Sequence, residues 1–305
     1  MVAYLFAGQG SQYIGMGKDL YEAFPGSKRI FDKADKVLGF SLSRLCFEGP
    51  KEELTKTNNA QPAILAMSIA ALEAYKTVAS RSSLVVSYAA GLSVGEYSAL
   101  VAAGAISFED AVYLVRRRGE FMEEEAEKKP GKMLSLIGLD LEAVKKICLQ
   151  AHTEIANINC PGQIVVSGGI KNIEEAQGLA KAAQAKMTVQ LEVSGAFHSS
   201  FMQGASLRLE KELSKIRLNL PRIPVISNVT ALRFSSPEDI KENLVKQVAS
   251  SVLWEDSMKY ILAQGTGNFV EFGPGKVLKG LMRRINPEAE VINIEKKEDV
   301  LAFSG

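Results

Sequence analysis

Gly91, Ser93 and Gly95, in GLSVGEYSAL (residues 91–100), have the G-x-S-x-G spacing of a serine held on a sharp strand-to-helix turn. Glycines let the backbone turn tightly and keep side chains clear of an incoming acyl group. The N-terminus of the following helix places positive dipole near a developing oxyanion. The bland alternative is a glycine-rich turn in which Ser93 only caps a helix. A serine hydroxyl needs a base to attack a carbonyl carbon. The chain has two histidines. His152 closes the helical stretch KKICLQAH and reads as a dipole partner or a solvated loop residue. His198, in LEVSGAFHSSFM, is the candidate base, although a purely structural role is its alternative.

Arg118 is the third candidate. In FEDAVYLVRRRGEFM, Ala111, Leu114, Val115, Phe121 and Met122 share one helical face, and Arg118 falls near its middle. Arg116 and Arg117 lie away from that face and are expected to be solvated. An inward guanidinium needs an anionic partner. That partner is either a protein carboxylate or a substrate carboxylate gripped by two parallel hydrogen bonds.

These residues must be positioned by a scaffold. Val2–Ala7 and Leu84–Ala90 read as buried strands, with Ser93 at the end of the second. Residues 61–79 read as a helix buried on most faces. Val94–Ala103 reads as a helix stopped by Gly104, and Ser107 can cap the next one. Strands alternating with helices indicate an α/β fold with a mainly parallel sheet. After the linker EKKPGK (127–132) the pattern becomes β-α-β-β-α-β. The expected elements are Met133–Ile137, Leu141–Ala151, Glu154–Asn159, Gln163–Ser167, Ile173–Gln184 and Met187–Val193, the ferredoxin-like order. Residues 128–194 are therefore expected to be a small α+β domain inserted into a large, discontinuous α/β-hydrolase-like domain, 1–127 and 195–305. From Ser199 a long helix carries Met202, Ala205, Leu209, Leu213 and Ile216. Strands are expected at Val225–Asn228 and Phe269–Phe272.

Composition excludes several classes. Across 305 residues the net charge is +1, which supplies no global field for nucleic acid or an anionic membrane. Three cysteines, Cys46, Cys148 and Cys160, have no metal spacing and read as reduced thiols of a cytoplasmic protein. No metal site is expected. The N-terminus lacks the basic region of a signal peptide, and no membrane span is expected. GQGSQY (8–13) fails as a dinucleotide fingerprint because Tyr13 stands where the third glycine belongs, and GPGKVL (273–278) fails as a phosphate loop. Both loops can still line a site at strand ends. There Gln9 could offer a backbone N–H to an oxyanion, paired with that of Val94. An α/β-hydrolase orders its triad Ser, acid, His, with the histidine late in the chain. Here His198 precedes 107 more residues and no acid between Ser93 and it stands out at a strand end, which argues against a lipase-like hydrolase and leaves a backbone carbonyl or an amide side chain to orient the ring.

With these blocks in order (FAGQGSQYIGMG, GLSVGEYSALVAAGAISFEDAVYLVRRRGEFM, NINCPGQIVVSG, SGAFHSSFM, PVISNVTA and VEFGPGKVLKGL), the chain resembles the malonyl-CoA:acyl carrier protein transacylases of fatty acid synthesis over nearly its whole length. The resemblance implies that Ser93 is the acylated nucleophile, His198 its base and Arg118 the ligand of the malonyl carboxylate. It implies oxyanion-hole N–H groups from Gln9 and Val94, and a backbone carbonyl of Gln247 that orients the histidine. Asn159 matches a polar residue near the cleft, Met122 joins the acyl-binding set, and Phe197 matches a position that crowds out an α-methyl group. Leu92 departs from many relatives, which have histidine there. The implied partners are acyl carrier protein and malonyl-CoA or coenzyme A, with no cofactor beyond the substrates. A serine thioesterase or esterase is the alternative enzyme; it would share Ser93 and His198 but not need Arg118. A catalytically idle docking module for carrier protein is the alternative outside enzymes.

Overall fold

The computed structural model describes residues 1–79 and 85–303. The chain opens on β1 (Val2–Phe6), followed by α1 (Lys18–Ala23), α2 (Pro25–Leu38), α3 (Leu42–Glu48), α4 (Lys51–Thr55) and the long α5 (Thr57–Ala79). Next come β2 (Val86–Gly91), α6 (Gly95–Ala102) and α7 (Phe108–Lys128). A second group follows: β3 (Gly131–Ile137), α8 (Leu141–Ala151), β4 (Glu154–Cys160), β5 (Gln163–Gly169), α9 (Ile170–Ala182) and β6 (Met187–Gln190). The chain then returns through α10 (Gln203–Leu213), α11 (Pro237–Gln247), α12 (Trp254–Ala263), β7 (Asn268–Phe272), α13 (Val277–Ile285), β8 (Glu290–Ile294) and α14 (Lys297–Ala302).

The fold is mixed α/β with a parallel sheet. Its strands lie in the order β2-β1-β7-β8, every neighbour pair parallel. The central β1 is an unbroken apolar run buried at all five positions, as a strand covered on both faces requires. β2 is buried only from Ala89 onward, and the expected start of that strand at Leu84 lies outside the described residues. α5 is long and apolar enough to cross a membrane by composition, yet most of it is buried against α7, α2 and the sheet.

The second sheet is antiparallel, in the order β4-β5-β3-β6. Side chains alternate across it with the period of two that a strand imposes. Leu134, Leu136, Ile164 and Val166 pack with α8 and α9, while Met133 and Val165 face the opposite way, toward the large sheet's loops.

Several expectations need correction. The linker after α7 is only Lys129–Pro130, because Gly131 already pairs in β3. The expected helix from Ser199 to Ile216 begins as a 3₁₀ turn, Ser200–Met202, and α10 ends at Leu213. The Ser199 and Ser200 hydroxyls bond to Ala196 and Glu154 there, competing with a regular helical start. Val225–Asn228 is not a full strand. Val225 makes one parallel bridge to Ala89 beside β2, and the chain turns away after Asn228. Pro224 has no N–H with which to extend that ladder.

Candidate active site

The site forms where β1 and β2 end. Gly91 closes β2, and Ser93 follows with φ of 52°, a left-handed backbone that serine rarely adopts. Two glycines permit it. A Cβ on Gly91 would lie 2.0 Å from the carbonyl atoms of Gly95, and one on Gly95 would lie 2.3 Å from the Phe6 oxygen. Asn228 pins the turn from the neighbouring segment. Its Oδ1 accepts from the Ser93 N–H at 2.7 Å, and its Nδ2 donates to the Gly91 carbonyl at 2.8 Å.

His198 enters from the chain that returns from the antiparallel sheet. Its Nε2 lies 2.8 Å from Ser93 Oγ. Its Nδ1 lies 2.8 Å from the Gln247 carbonyl oxygen, the last residue of α11. A carbonyl only accepts, so the proton sits on Nδ1 and Nε2 is left to take the serine's proton. Burial, and after it the Arg118 charge, push the imidazole pKa down to about 4, against the pull of hydrogen bonds to the backbone at Gln247 and Ser250. The ring is therefore a neutral base at physiological pH. His152 closes α8 in a left-handed conformation on the surface, far from this role.

Arg118 projects from the apolar face of α7 and is 1% exposed. Its Nη1 donates to Gln61 Oε1 at 2.8 Å, and its Nη2 to Gln247 Oε1 at 2.9 Å and Ser93 Oγ at 3.1 Å. No carboxylate pairs with it among the described residues, so the structural bridge expected as its alternative is absent. Its Nε has no hydrogen-bond partner among the described residues. Nε and Nη2 share one edge of the guanidinium, a geometry that can grip a carboxylate by two parallel hydrogen bonds. Arg116 corrects the sequence reading. Pro62 cannot donate to the Asn58 carbonyl within α5, and Arg116 Nη1 takes that carbonyl at 3.0 Å instead of facing solvent. Arg117, also expected to be solvated, is half-buried and pairs with Glu120.

A cavity of about 170 Å³ opens above Ser93 and His198. Gln9, Leu92, Met122, Asn159 and Phe197 line it, and Met133 and Val165 of the antiparallel sheet roof it. Asn159 Oδ1 is buried there with no partner among the described residues. The backbone N–H groups of Gln9 and Val94 donate to no acceptor among the described residues, which leaves both free. The Gln9 side chain is held by Thr57 at 3.2 Å. A wider groove reaches His198 from the other side, past Lys145 and Ser250, but Ser93 does not line it.

Three polar residues at the site were not singled out from sequence: Gln61, Asn228 and Glu96. Glu96 is wholly buried at the start of α6. Burial pushes its carboxyl pKa up, opposed by N–H donors from Asn228 and Gln247 and by the Arg118 charge. The available signal is a polar side chain inside an apolar run, QPAILAM for Gln61 and GEYSALV for Glu96.

The family model described as acyl transferase domain matches residues 3–295. The chain belongs to the acyl transferase family. Within it, the chain is 48% identical over 304 residues to the malonyl CoA-acyl carrier protein transacylase of Bacillus subtilis strain 168, covering 98% of this chain and 95% of that one. Among solved structures it is similar to the acyl-carrier-protein-S-malonyltransferase of Bartonella henselae, with TM-score 0.94, 40% identity and coverage of 99% and 98%. It is equally similar in fold to a malonyl-transacylase solved in complex with a type II PKS acyl-carrier protein, with TM-score 0.94, 37% identity and coverage of 99% and 98%.

Proposed function

We propose that this acyltransferase moves the malonyl group from malonyl-CoA to the pantetheine thiol of acyl carrier protein, supplying fatty acid synthesis. The observation that carries the reading is the single hydroxyl, Ser93 Oγ, lying 2.8 Å from a neutral imidazole and 3.1 Å from a buried guanidinium that makes no salt bridge with any carboxylate among the described residues. The first pair suits attack on a thioester; the second selects an acyl group that ends in a carboxylate.

In this mechanism the malonyl carboxylate takes the open Nε–Nη2 edge of Arg118 and displaces Ser93 Oγ from it. His198 Nε2 accepts the serine proton as Oγ attacks the thioester carbon. The free N–H groups of Gln9 and Val94 hold the tetrahedral oxyanion; one such donor is worth about 3–4 kcal/mol. Collapse breaks the C–S bond, and His198 returns its proton to the departing coenzyme A sulfur. In the second half, His198 takes the proton of the carrier thiol, the sulfur attacks the malonyl-serine ester, and the proton returns to Ser93. The Gln247 carbonyl holds the imidazole in the required tautomer. Asn159 offers a free acceptor to the bound thioester arm, Met122 packs beside the acyl group, and Phe197 excludes an α-methyl branch. The steps use side chains and backbone amides and call for no cofactor beyond the two substrates.

The finer architecture fits this division of labour. We read residues 1–127 and 195–305 as an α/β-hydrolase-like catalytic domain, and 128–194 as a ferredoxin-like insert that roofs the acyl cavity. The β-α-β-β-α-β chain order and the β4-β5-β3-β6 sheet order support the insert. The unpaired, buried cysteines suit a reducing cytoplasm. Neither a nucleic acid nor a membrane is among the partners we assign.

The test is a partition experiment. With malonyl-CoA alone, coenzyme A release should stop after one equivalent apart from slow hydrolysis. Adding phosphopantetheinylated acyl carrier protein should restart it and yield malonyl carrier protein. Release that the carrier protein does not accelerate would favour a thioesterase.

A further inference from the structure

We infer that Glu96 is a positioning residue for the acyl carboxylate: it fixes the Gln247 side-chain amide so that its oxygen, not its nitrogen, faces Arg118. The inference rests on the reading of Arg118 as the carboxylate ligand.

Glu96 has no exposed surface and touches no group that the reaction consumes. One oxygen accepts from the Asn228 backbone N–H at 2.8 Å, and the other accepts from Gln247 Nε2. Gln247 Nε2 also donates to the Ser93 carbonyl at 3.1 Å, while its Oε1 accepts from Arg118 Nη2 at 2.9 Å. An amide can be turned two ways, and the difference lies in which end donates. Glu96 presents acceptors to both neighbours, one oxygen to the Asn228 N–H and the other to Gln247 Nε2, and with the Ser93 carbonyl beside it this favours one orientation of the amide. The reverse turn would point the Gln247 oxygen at a carboxylate and a carbonyl, and its NH₂ at a guanidinium. Glu96 and Gln247 have no exposed surface, so bulk solvent cannot relieve those mismatches.

The polarity therefore runs Glu96, Gln247, Arg118, acyl carboxylate. Gln61 Oε1 holds Nη1 and Gln247 Oε1 holds Nη2, so the two amides fix the guanidinium with Nε unpartnered among the described residues and Nη2 also reaching Ser93 Oγ at the cavity floor. Among the described residues the other wholly buried acid, Glu271, has a different task. It caps α13 by accepting from the Leu278 and Lys279 N–H groups.

Glu96→Gln separates this role from simple support. Its new amide can still accept from the Asn228 N–H, which keeps the turn under Ser93. Its other end then donates, facing a second donor, and Gln247 must turn its NH₂ toward Arg118. The readout is the ratio of kcat/KM for malonyl-CoA to that for acetyl-CoA, with the same carrier protein. We expect the ratio to fall about tenfold or more, the size of one charge-assisted hydrogen bond. Gln247→Leu keeps the backbone carbonyl on His198 and should lower the ratio similarly; adding Glu96→Gln to it should lower the ratio no further. A merely structural Glu96 would lower both activities together and leave the ratio unchanged. A Glu96 that only balances the Arg118 charge would raise the ratio once removed. Either result overturns the inference, as does an unchanged ratio in Gln247→Leu if Glu96→Gln does not fold. Wild type that fails to transfer malonyl at all would instead sink the functional reading.

Discussion

Replacing Arg118 by alanine probes the step from geometry to specificity. Two charge-assisted hydrogen bonds to a carboxylate contribute at least about 1.5 kcal/mol each, or about 3 kcal/mol together. The expected loss in kcat/KM for malonyl-CoA is therefore roughly 10²-fold or more. The substitution also strands buried acceptors. Gln61 Oε1 and Gln247 Oε1 lose their donors, at about 1–3 kcal/mol each, and Glu96 loses its neighbouring cation. Arg118→Ala should thus be less stable as well as less active. The informative quantity is a ratio measured on one preparation, because the folded fraction cancels. Initial rates of transfer to carrier protein from malonyl-CoA and acetyl-CoA should show the preference for malonyl falling by the same roughly 10²-fold. Acetyl carries no carboxylate for the fork and keeps the contacts of Ser93 with His198. Equal losses for both donors would refute the carboxylate clamp and leave Arg118 a structural cation.

The remaining expectations concern the base, the turn and the acyl pocket. Burial holds His198 at a pKa of about 4, below the ordinary 6.5, so serine acylation should persist as pH falls and be half-lost near 4; loss centred on 6.5 would contradict a buried neutral base. Between those values the unfolded chain binds the proton that the folded chain refuses, so stability should decline from pH 6.5 to 4 by about 3 kcal/mol more in wild type than in His198→Gln, read by urea unfolding. Gly91→Ala places a Cβ 2.0 Å from backbone atoms of Gly95, an overlap no rotamer relieves. It should cost about 3 kcal/mol or more, and an unchanged unfolding midpoint would refute the steric account. Phe197→Ser should raise the rate with methylmalonyl-CoA relative to malonyl-CoA by about tenfold, the scale of one methyl group in an apolar pocket; an unchanged ratio would remove Phe197 from the specificity of the site.

The parts of this fold legible in sequence are those with strong local signals. The apolar run of β1 and the amphipathic α8 emerge with nearly the observed bounds, Val2–Phe6 and Leu141–Ala151. β8 gives little to read. It is an edge strand flanked by Lys and Glu, with Glu290 and Ile292 exposed. Helices α2 to α4 and α11 to α14 are likewise unassigned by pattern, several being short and largely exposed on one side. The expected helix after Ser199 begins as a 3₁₀ turn, Ser200–Met202, because the Ser199 and Ser200 hydroxyl bonds, invisible to periodicity, compete with a regular start. At the site, Ser93 and Arg118 announce themselves by spacing and by a charge on an apolar face. Asn228 does not, because its meaning is a bond to a residue 135 positions away. Gln61 and Glu96 are the same case: each is a polar side chain whose partner is supplied only by the tertiary fold.

The central claim is that Ser93 carries the acyl group between donor and acceptor. Brief incubation with malonyl-CoA, acid quench and intact-mass analysis followed by peptide mapping tests it most directly. One malonyl adduct per chain is predicted, on the peptide containing Ser93, absent from Ser93→Ala and discharged by phosphopantetheinylated carrier protein. No adduct on wild type under turnover, or an adduct on another residue that persists in Ser93→Ala, would contradict it.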